Sequence, residues 1–158
     1  FQGPFMLAIY PYHYIIGENE VESDGYVGCV TYLLWTSSAA QEHSEKQGWT
    51  TQRYLEMGAA WVVRSHHIEY FLPASAGDKV VIETWVSNFG KTRCLRKYLI
   101  RRPKDDAILV TAETSWTLVD IAKRAPRRIP DEIMDAFITV PKSDEPTSKR
   151  SVKTTHTE

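Results

Sequence analysis

The sequence predicts an α+β domain in which one strand and one long helix precede a run of antiparallel strands. Three observations predict it. Residues 30–47 carry apolar and small side chains at helical spacing and end at Gly48. Four later segments are rich in β-branched and aromatic residues. Short Pro-, Gly- and Asp-containing clusters separate those segments, and such connections join antiparallel neighbours.

In chain order, residues 1–5 are expected to be a purification-tag remnant, with Met6 as the natural start. Residues 6–16 (MLAIYPYHYII) read as a strand with Tyr10, Tyr12 and Tyr14 on one face. Pro11 restricts it to an edge, a bulge or a strand start, and His13 reads as packed or at the rim. In the helix, Val30, Leu33, Leu34 and Ser37 are expected inward, followed by Ser38, Ala40 and Gln41; the small run Ser37–Ala40 admits a close sheet. Glu42, Glu45 and Lys46 are expected on the solvated face. Strands are expected over 59–72, 79–88, 93–102 and 108–119, with turns at 73–78, 89–92 and 103–106. On the last strand Ile108, Val110, Ala112, Thr114, Trp116 and Leu118 alternate onto one face. A short helix is expected over 130–137, Pro130 at its start. The domain is therefore expected over 6–140, with a polar tail from 141 to 158. A sheet of about five long strands with one helix covers only part of itself, so a second copy is expected to bury the rest, as a homodimer or homotetramer.

Composition narrows the function. A chain of 158 residues with 42% hydrophobic and 25% charged residues suits one soluble domain with a substantial core. A net charge of -1 gives no electrostatic case for nucleic acid or an anionic membrane. Two cysteines, Cys29 and Cys94, make no disulfide framework and fit reduced thiols in a cytoplasmic protein. No apolar run is long enough to span a bilayer, and no signal peptide is visible.

The chemistry concentrates in residues 18–35. Glu18, Glu20, Glu22 and Asp24 fall within seven residues, Gly25 and Gly28 allow a sharp turn, and the helix begins near Cys29 or Val30. A helix N-terminus presents free N–H groups and partial positive charge. A carboxylate facing it across a tight loop is arranged for carbonyl chemistry. The N–H groups hold the oxygen as it becomes negative, and the carboxylate attacks or activates water. The alternative is a solvated acidic turn before a well-capped helix.

This order of elements, with four motifs, resembles the hot-dog fold of acyl thioesterases. The motifs are the loop–helix Glu22-Ser23-Asp24-Gly25-Tyr26-Val27-Gly28-Cys29-Val30-Thr31-Tyr32, the helix end Gln41–Gly48, the turn Pro73–Asp78, and the close from Val119-Asp120 to Arg127-Arg128-Ile129-Pro130. The resemblance runs from about Tyr12 to Phe137. The helix end and Val81–Trp85 look most like the acyl-carrier-protein thioesterase branch. The family loop reads Asp-x-x-Gly-His-Val-Asn-Asn-x-x-Tyr, so Gly25, Val27 and Tyr32 match and Glu22 takes the place of the acid. Tyr26 replaces the histidine, and Gly28-Cys29 replaces the two asparagines. The resemblance implies hydrolysis of an acyl-CoA or acyl-carrier-protein thioester. Glu22 would be base or nucleophile, Asp24 a second acid, the N–H near Cys29 the oxyanion donor, and Tyr26 a substrate or pocket contact. Gly25, Val27, Gly28 and Tyr32 would shape the substrate site. No cofactor is implied.

Cys29 at a helix N-terminus is a possible nucleophile, without a sequence-local histidine to support it. Glu42 and His43 read as a solvated pair near the helix end, or as an acid–base pair. His66 and His67 point to opposite faces of a strand and do not make a metal site, so no metal is expected. Two basic clusters, Arg101-Arg102 with Lys104 and Lys123-Arg124 with Arg127-Arg128, are candidates for the phosphates of CoA or the acidic face of a carrier protein. Two rival readings keep the fold: an acyl-binding protein without turnover, and a dehydratase, which would need a histidine that the loop lacks.

Overall fold

The computed structural model describes residues 6–147. The expected tag remnant lies outside these residues, as does the end of the expected tail. The elements are β1 (Ile9–Ile15), a 3-10 turn (Glu18–Glu20), α1 (Cys29–Lys46), α2 (Thr51–Glu56), β2 (Ala59–Tyr70), β3 (Lys79–Phe89), β4 (Arg93–Arg102), β5 (Ala107–Asp120), β6 (Ala125–Pro126) and α3 (Asp131–Met134), then a 3-10 turn at Lys142–Asp144. Every pairing is antiparallel, in the order β1-β3-β4-β5-β2, with the two-residue β6 added to β5. This is the sheet with one long helix that the sequence predicts. Pro11 sits on edge strand β1 opposite Glu83, where its missing N–H costs no ladder bond. No helix among the described residues is long and apolar enough to cross a membrane.

The helix uses a different face from the one expected. α1 buries Tyr32, Trp35, Thr36, Ala39, Ala40 and His43, while Val30 is 65% and Leu34 62% exposed. Two rings decide this. Burying Trp35 and Tyr32 removes more apolar surface from water than burying Val30 and Leu34, so the helix turns its aromatic side to the sheet. Ala39 and Ala40 then keep the contact close, with Ile82, Tyr98 and Ile100 across from them in the same core. Residues 141–147, the first part of the expected tail, include Glu145, whose carboxylate accepts from Lys97 Nζ at 2.7 Å.

His43 is buried, not solvated as the sequence reading had it. Its ring stacks on Tyr10 with centroids 5.2 Å apart and meets Phe137 edge-on. Its Nε2 lies 3.0 Å from the Leu7 carbonyl, and its Nδ1 lies 2.9 Å from Arg96 Nη1, so Nδ1 accepts from the guanidinium. Neighbouring Glu42 accepts from the Tyr10 hydroxyl at 2.7 Å. Nothing in the local sequence announces this, because Arg96 reaches His43 from β4. Burial, and then the charge of Arg96, pushes the imidazole down to about 3, so it is neutral in the folded protein.

The stability consequence has a definite sign. Between pH 6.5, the ordinary value, and about 3, the unfolded chain binds a proton at His43 that the folded chain does not. Stability therefore falls as pH drops through that window, by up to about 1.4 kcal/mol per pH unit, and the site adds no slope above it. Urea denaturation at pH 7.5 and pH 5 should show His43→Gln losing about 2 kcal/mol less than the wild type across that interval. Equal losses in the two proteins would remove His43 as the cause.

Candidate active site

The acidic loop folds as a small hairpin before α1. Glu22 N donates to Tyr26 O at 2.8 Å, Gly25 N to Glu22 O at 2.9 Å, and Val21 bridges Val27. Gly25 has φ of 85°, a conformation that other residues adopt only with strain. Asp24 accepts from Tyr26 N at 2.9 Å, so this carboxylate is engaged in the turn itself. The loop is pinned from the side by the 73–78 turn: Tyr26 bridges Ser75, and Val27 N donates to Ala74 O at 3.0 Å.

Glu20 ties the loop to its surroundings. It accepts from the Tyr14 hydroxyl at 2.6 Å, from Trp35 Nε1 at 2.9 Å and from the Gly17 amide at 3.0 Å. Burial alone would raise its carboxyl, but the three donors outweigh that and hold it below the usual carboxylate range. The same hydrogen bond, followed by burial, pushes the Tyr14 phenol up to about 12.

Glu22 is placed differently. It is exposed, and among the described residues no hydrogen bond engages its carboxylate. That carboxylate lies against Gly28, the residue immediately before α1. A Cβ on Gly28 would stand 3.1 Å from Glu22 Cδ and closer still to Oε1. Gly28 has φ of -72°, so its role is the close approach and not an unusual backbone angle. Thr31 N donates to Gly28 O at 3.1 Å. The amides of Cys29 and Val30 find no acceptor among the described residues, as expected in a first helical turn. An ionisable oxygen and a pair of free N–H groups thus meet at one helix end.

The other expected residues divide. Cys29 is an exposed free thiol at the helix start. Its carbonyl accepts from the Tyr70 hydroxyl at 3.0 Å, which brings the end of β2 to the site; sequence reasoning gave Tyr70 no role. Tyr26 is 47% exposed beside the loop and Val27 is buried. Tyr32 is 3% exposed and packs edge-on to Trp35 and Tyr70, a core position beneath the loop.

The two basic clusters do not come together. Arg102 grips Asp105 with two hydrogen bonds of 3.0 and 2.8 Å and reaches Asp78 at 3.3 Å, on the turn that pins the loop. Arg101 pairs with Glu83 and lies 3.6 Å from Asp106. Arg127 donates to the Met57 carbonyl at 3.2 Å, and Arg128 is exposed. Met57 precedes β2, whose other end carries Tyr70, so Arg127 and Arg128 stand roughly 35 Å of strand from the loop. Only Arg101 and Arg102 belong to the loop's end of the sheet.

A separate cavity of about 300 Å³ opens beside the second half of α1, walled by α2, the sheet and Phe137. Ser37 is its lining residue nearest the helix start, eight residues or about 12 Å along the axis from Cys29. Among the described residues no group of three or more His, Cys, Asp or Glu side chains is arranged to hold a metal ion.

Comparison with known proteins gives this geometry a family. The profile described as "Acyl-ACP thioesterase N-terminal domain" matches residues 8–137. Oleoyl-acyl carrier protein thioesterase 1 of Arabidopsis thaliana is 20% identical over 135 residues, covering 82% of this chain and 37% of its own length. An acyl-[acyl-carrier-protein] hydrolase of Cuphea viscosissima is 32% identical over 78 residues, covering 49% of this chain and 19% of its own length. The chain thus spans well under half of these curated relatives. A 1,4-dihydroxy-2-naphthoyl-CoA thioesterase from Synechocystis has the same hot-dog fold, with TM-score 0.77 and 18% identity over 87% of this chain and 99% of that one. The 12:0-ACP thioesterase from Umbellularia californica aligns with TM-score 0.74 and 24% identity over 89% of this chain and 55% of its own.

The role of Glu20 can be separated from that of Glu22 by stability. Glu20→Gln should cost about 2 kcal/mol, since it loses the charge that strengthens three hydrogen bonds. Glu22→Gln should leave the unfolding free energy measured in urea within about 0.5 kcal/mol of wild type, as expected for an exposed group without partners. The reverse order would show that the loop is held by Glu22.

Proposed function

Since the chain belongs to the acyl-ACP thioesterase family, we propose that it hydrolyses an acyl thioester carried by coenzyme A or acyl carrier protein. The observation that carries this reading is the unpartnered Glu22 carboxylate lying against Gly28, beside the free amides of Cys29 and Val30. Glu22 stands where the loop of the thioesterases this sequence resembles carries its acid, and the longer side chain still lies against Gly28.

The chemistry follows from that geometry. The thioester carbonyl oxygen sits on the first-turn amides, which hold the negative charge that develops there. Glu22 takes a proton from water as the water oxygen bonds to the carbonyl carbon, or bonds to that carbon directly and is released by water afterwards. Collapse breaks the carbon–sulfur bond, and the leaving sulfur takes up a proton to depart as the thiol. Asp24, engaged in the turn, sets the shape of the loop, and Tyr26 borders the substrate. Arg102 is the cation best placed to meet a carrier's phosphate, in exchange for part of its grip on Asp105. Cys29 contributes its amide, not its thiol.

The partner reading is a second copy of this chain. Among the described residues β2, an edge strand of 12 residues, pairs only with β5 and has its other side open. At and just past it, Val62, Val63, Tyr70, Phe71 and Leu72 are 39–54% exposed. A long unpaired edge with exposed apolar residues at both ends is a template for strand pairing, even with Arg64 to His67 polar between them. Pairing there also brings a second sheet beside the exposed Val30 and Leu34 of α1.

Two measurements test these readings. Thiol release from a panel of acyl-CoA and acyl-carrier-protein thioesters should fall at least 100-fold in Glu22→Gln. Gly28→Ala should fall at least tenfold with little change in stability, because the new methyl group displaces only the end of a flexible side chain. A silent Glu22→Gln in an active protein moves the chemistry off this carboxylate, and a panel without turnover favours an acyl-binding protein. Light scattering should give two or four times the chain mass, and Val63→Lys, a charge on the open edge, should give the monomer. A monomeric wild type overturns the pairing.

A further inference from the structure

Among the described residues no carboxylate balances the charge of Arg96, whose guanidinium lies 5.7 Å from the Phe137 ring. Arg96 is 5% exposed on β4 and lines the 300 Å³ cavity. Its Nη1 donates to His43 Nδ1 at 2.9 Å and to Thr84 Oγ1 at 3.1 Å, two neutral acceptors. Among the described residues no hydrogen bond is made by its Nε or Nη2, and no carboxylate pairs with it or lines the cavity. The acidic side chains lining the cavity, Cys94 and Tyr54, stay neutral. Burial pushes the Cys94 thiol up to about 11 and raises the Tyr54 phenol as well. A guanidinium kept from water without a counter-ion is costly, and the cost is relieved when an anion joins it.

Five rings, Trp49, Tyr54, Trp61, Trp116 and Phe137, line the cavity, and its other polar side chains, such as Ser37, Gln41, Ser44 and Thr51, are uncharged. We propose that this cavity binds a carboxylate attached to an apolar tail, with the carboxylate on the free edge of Arg96 and the tail among these rings. A single guanidinium matches a carboxylate in charge and in its planar, two-point geometry, whereas a phosphate dianion would bring one negative charge too many. A neutral tail alone leaves the cation unpaired. The carboxylate has two possible sources: the free acid that hydrolysis releases, or the far end of an acyl group that carries a second carboxyl. Only this choice of source rests on the thioesterase reading.

The test is a titration with octanoic acid, 1-octanol and octylamine at neutral pH, followed by tryptophan fluorescence and calorimetry. Octanoate should bind at least tenfold tighter than octanol, and octylamine weakest. Arg96→Leu should abolish the preference for the acid while keeping octanol binding. Ala40→Leu, which fills the cavity from α1, should lose both. Equal binding of acid and alcohol by the wild type overturns the proposal without need of a variant, so a poorly folding Arg96→Leu does not shield it. Retained acid preference in Arg96→Leu, or retained octanoate binding in Ala40→Leu, overturns it too. The sources separate by turnover of octanoyl-CoA and its ω-carboxy analogue. An ω-carboxyl advantage that disappears in Arg96→Leu assigns the site to the acyl end, and octanoate binding without that advantage assigns it to the released acid. If no thioester is hydrolysed, the hydrolase reading fails while the titration still decides this one.

Discussion

One half-buried carboxylate sets the position of the loop and the helix start. Glu20 gathers a strand hydroxyl, a helix indole and a loop amide onto two oxygens. β1, the 3-10 turn and α1 are thereby fixed relative to one another before the loop reaches Glu22. Neutral hydrogen bonds would do this more weakly, because charge-assisted bonds are roughly twice as strong. The arrangement also explains why two carboxylates only two residues apart differ so much. Glu20 spends its lone pairs on structure, which leaves Glu22 able to sit unpartnered against Gly28.

α1 serves two places at once. Its first turn offers backbone donors to the loop, and its second half forms a wall of the cavity. The inward stripe of Trp35, Ala39, Ala40 and His43 changes along the helix from an aromatic anchor to small residues to a polar contact. The anchor holds the helix at the loop end. The small residues bring it close to the sheet. The imidazole meets a guanidinium that strand β4 delivers from more than fifty residues away in sequence. The helix is therefore clamped near both ends by polar groups whose partners lie on other elements.

How much of this the sequence discloses depends on how local each feature is. Strand alternation, turn residues and the helix stop at Gly48 are local, and the elements stand where they were expected. The meeting of Glu22 with the helix start is also local, since six residues and two glycines define it. The inward face of α1 was misread because Val30, Leu33, Leu34 and Ser37 show a helical period as good as that of Tyr32, Trp35 and Ala39. Period alone does not weigh a ring against an isopropyl group. Arg96 was passed over for a stronger reason: its role exists only after β4 is registered against β3 and α1 is laid across them. A buried arginine reads in sequence like any other basic residue on a strand.

The two outer strands of the sheet are not equivalent. β1 contains Pro11, which cannot donate to a neighbour, and runs for seven residues; β2 is twelve residues long and contains no proline. Growth by strand addition is therefore polar: it is discouraged on one side and open on the other. When two such chains join open side to open side, both vacant borders are consumed and only proline-bearing borders remain. A sheet joined in that way would double without extending into a ribbon, so the proline on one border would act as a chain terminator against fibre formation.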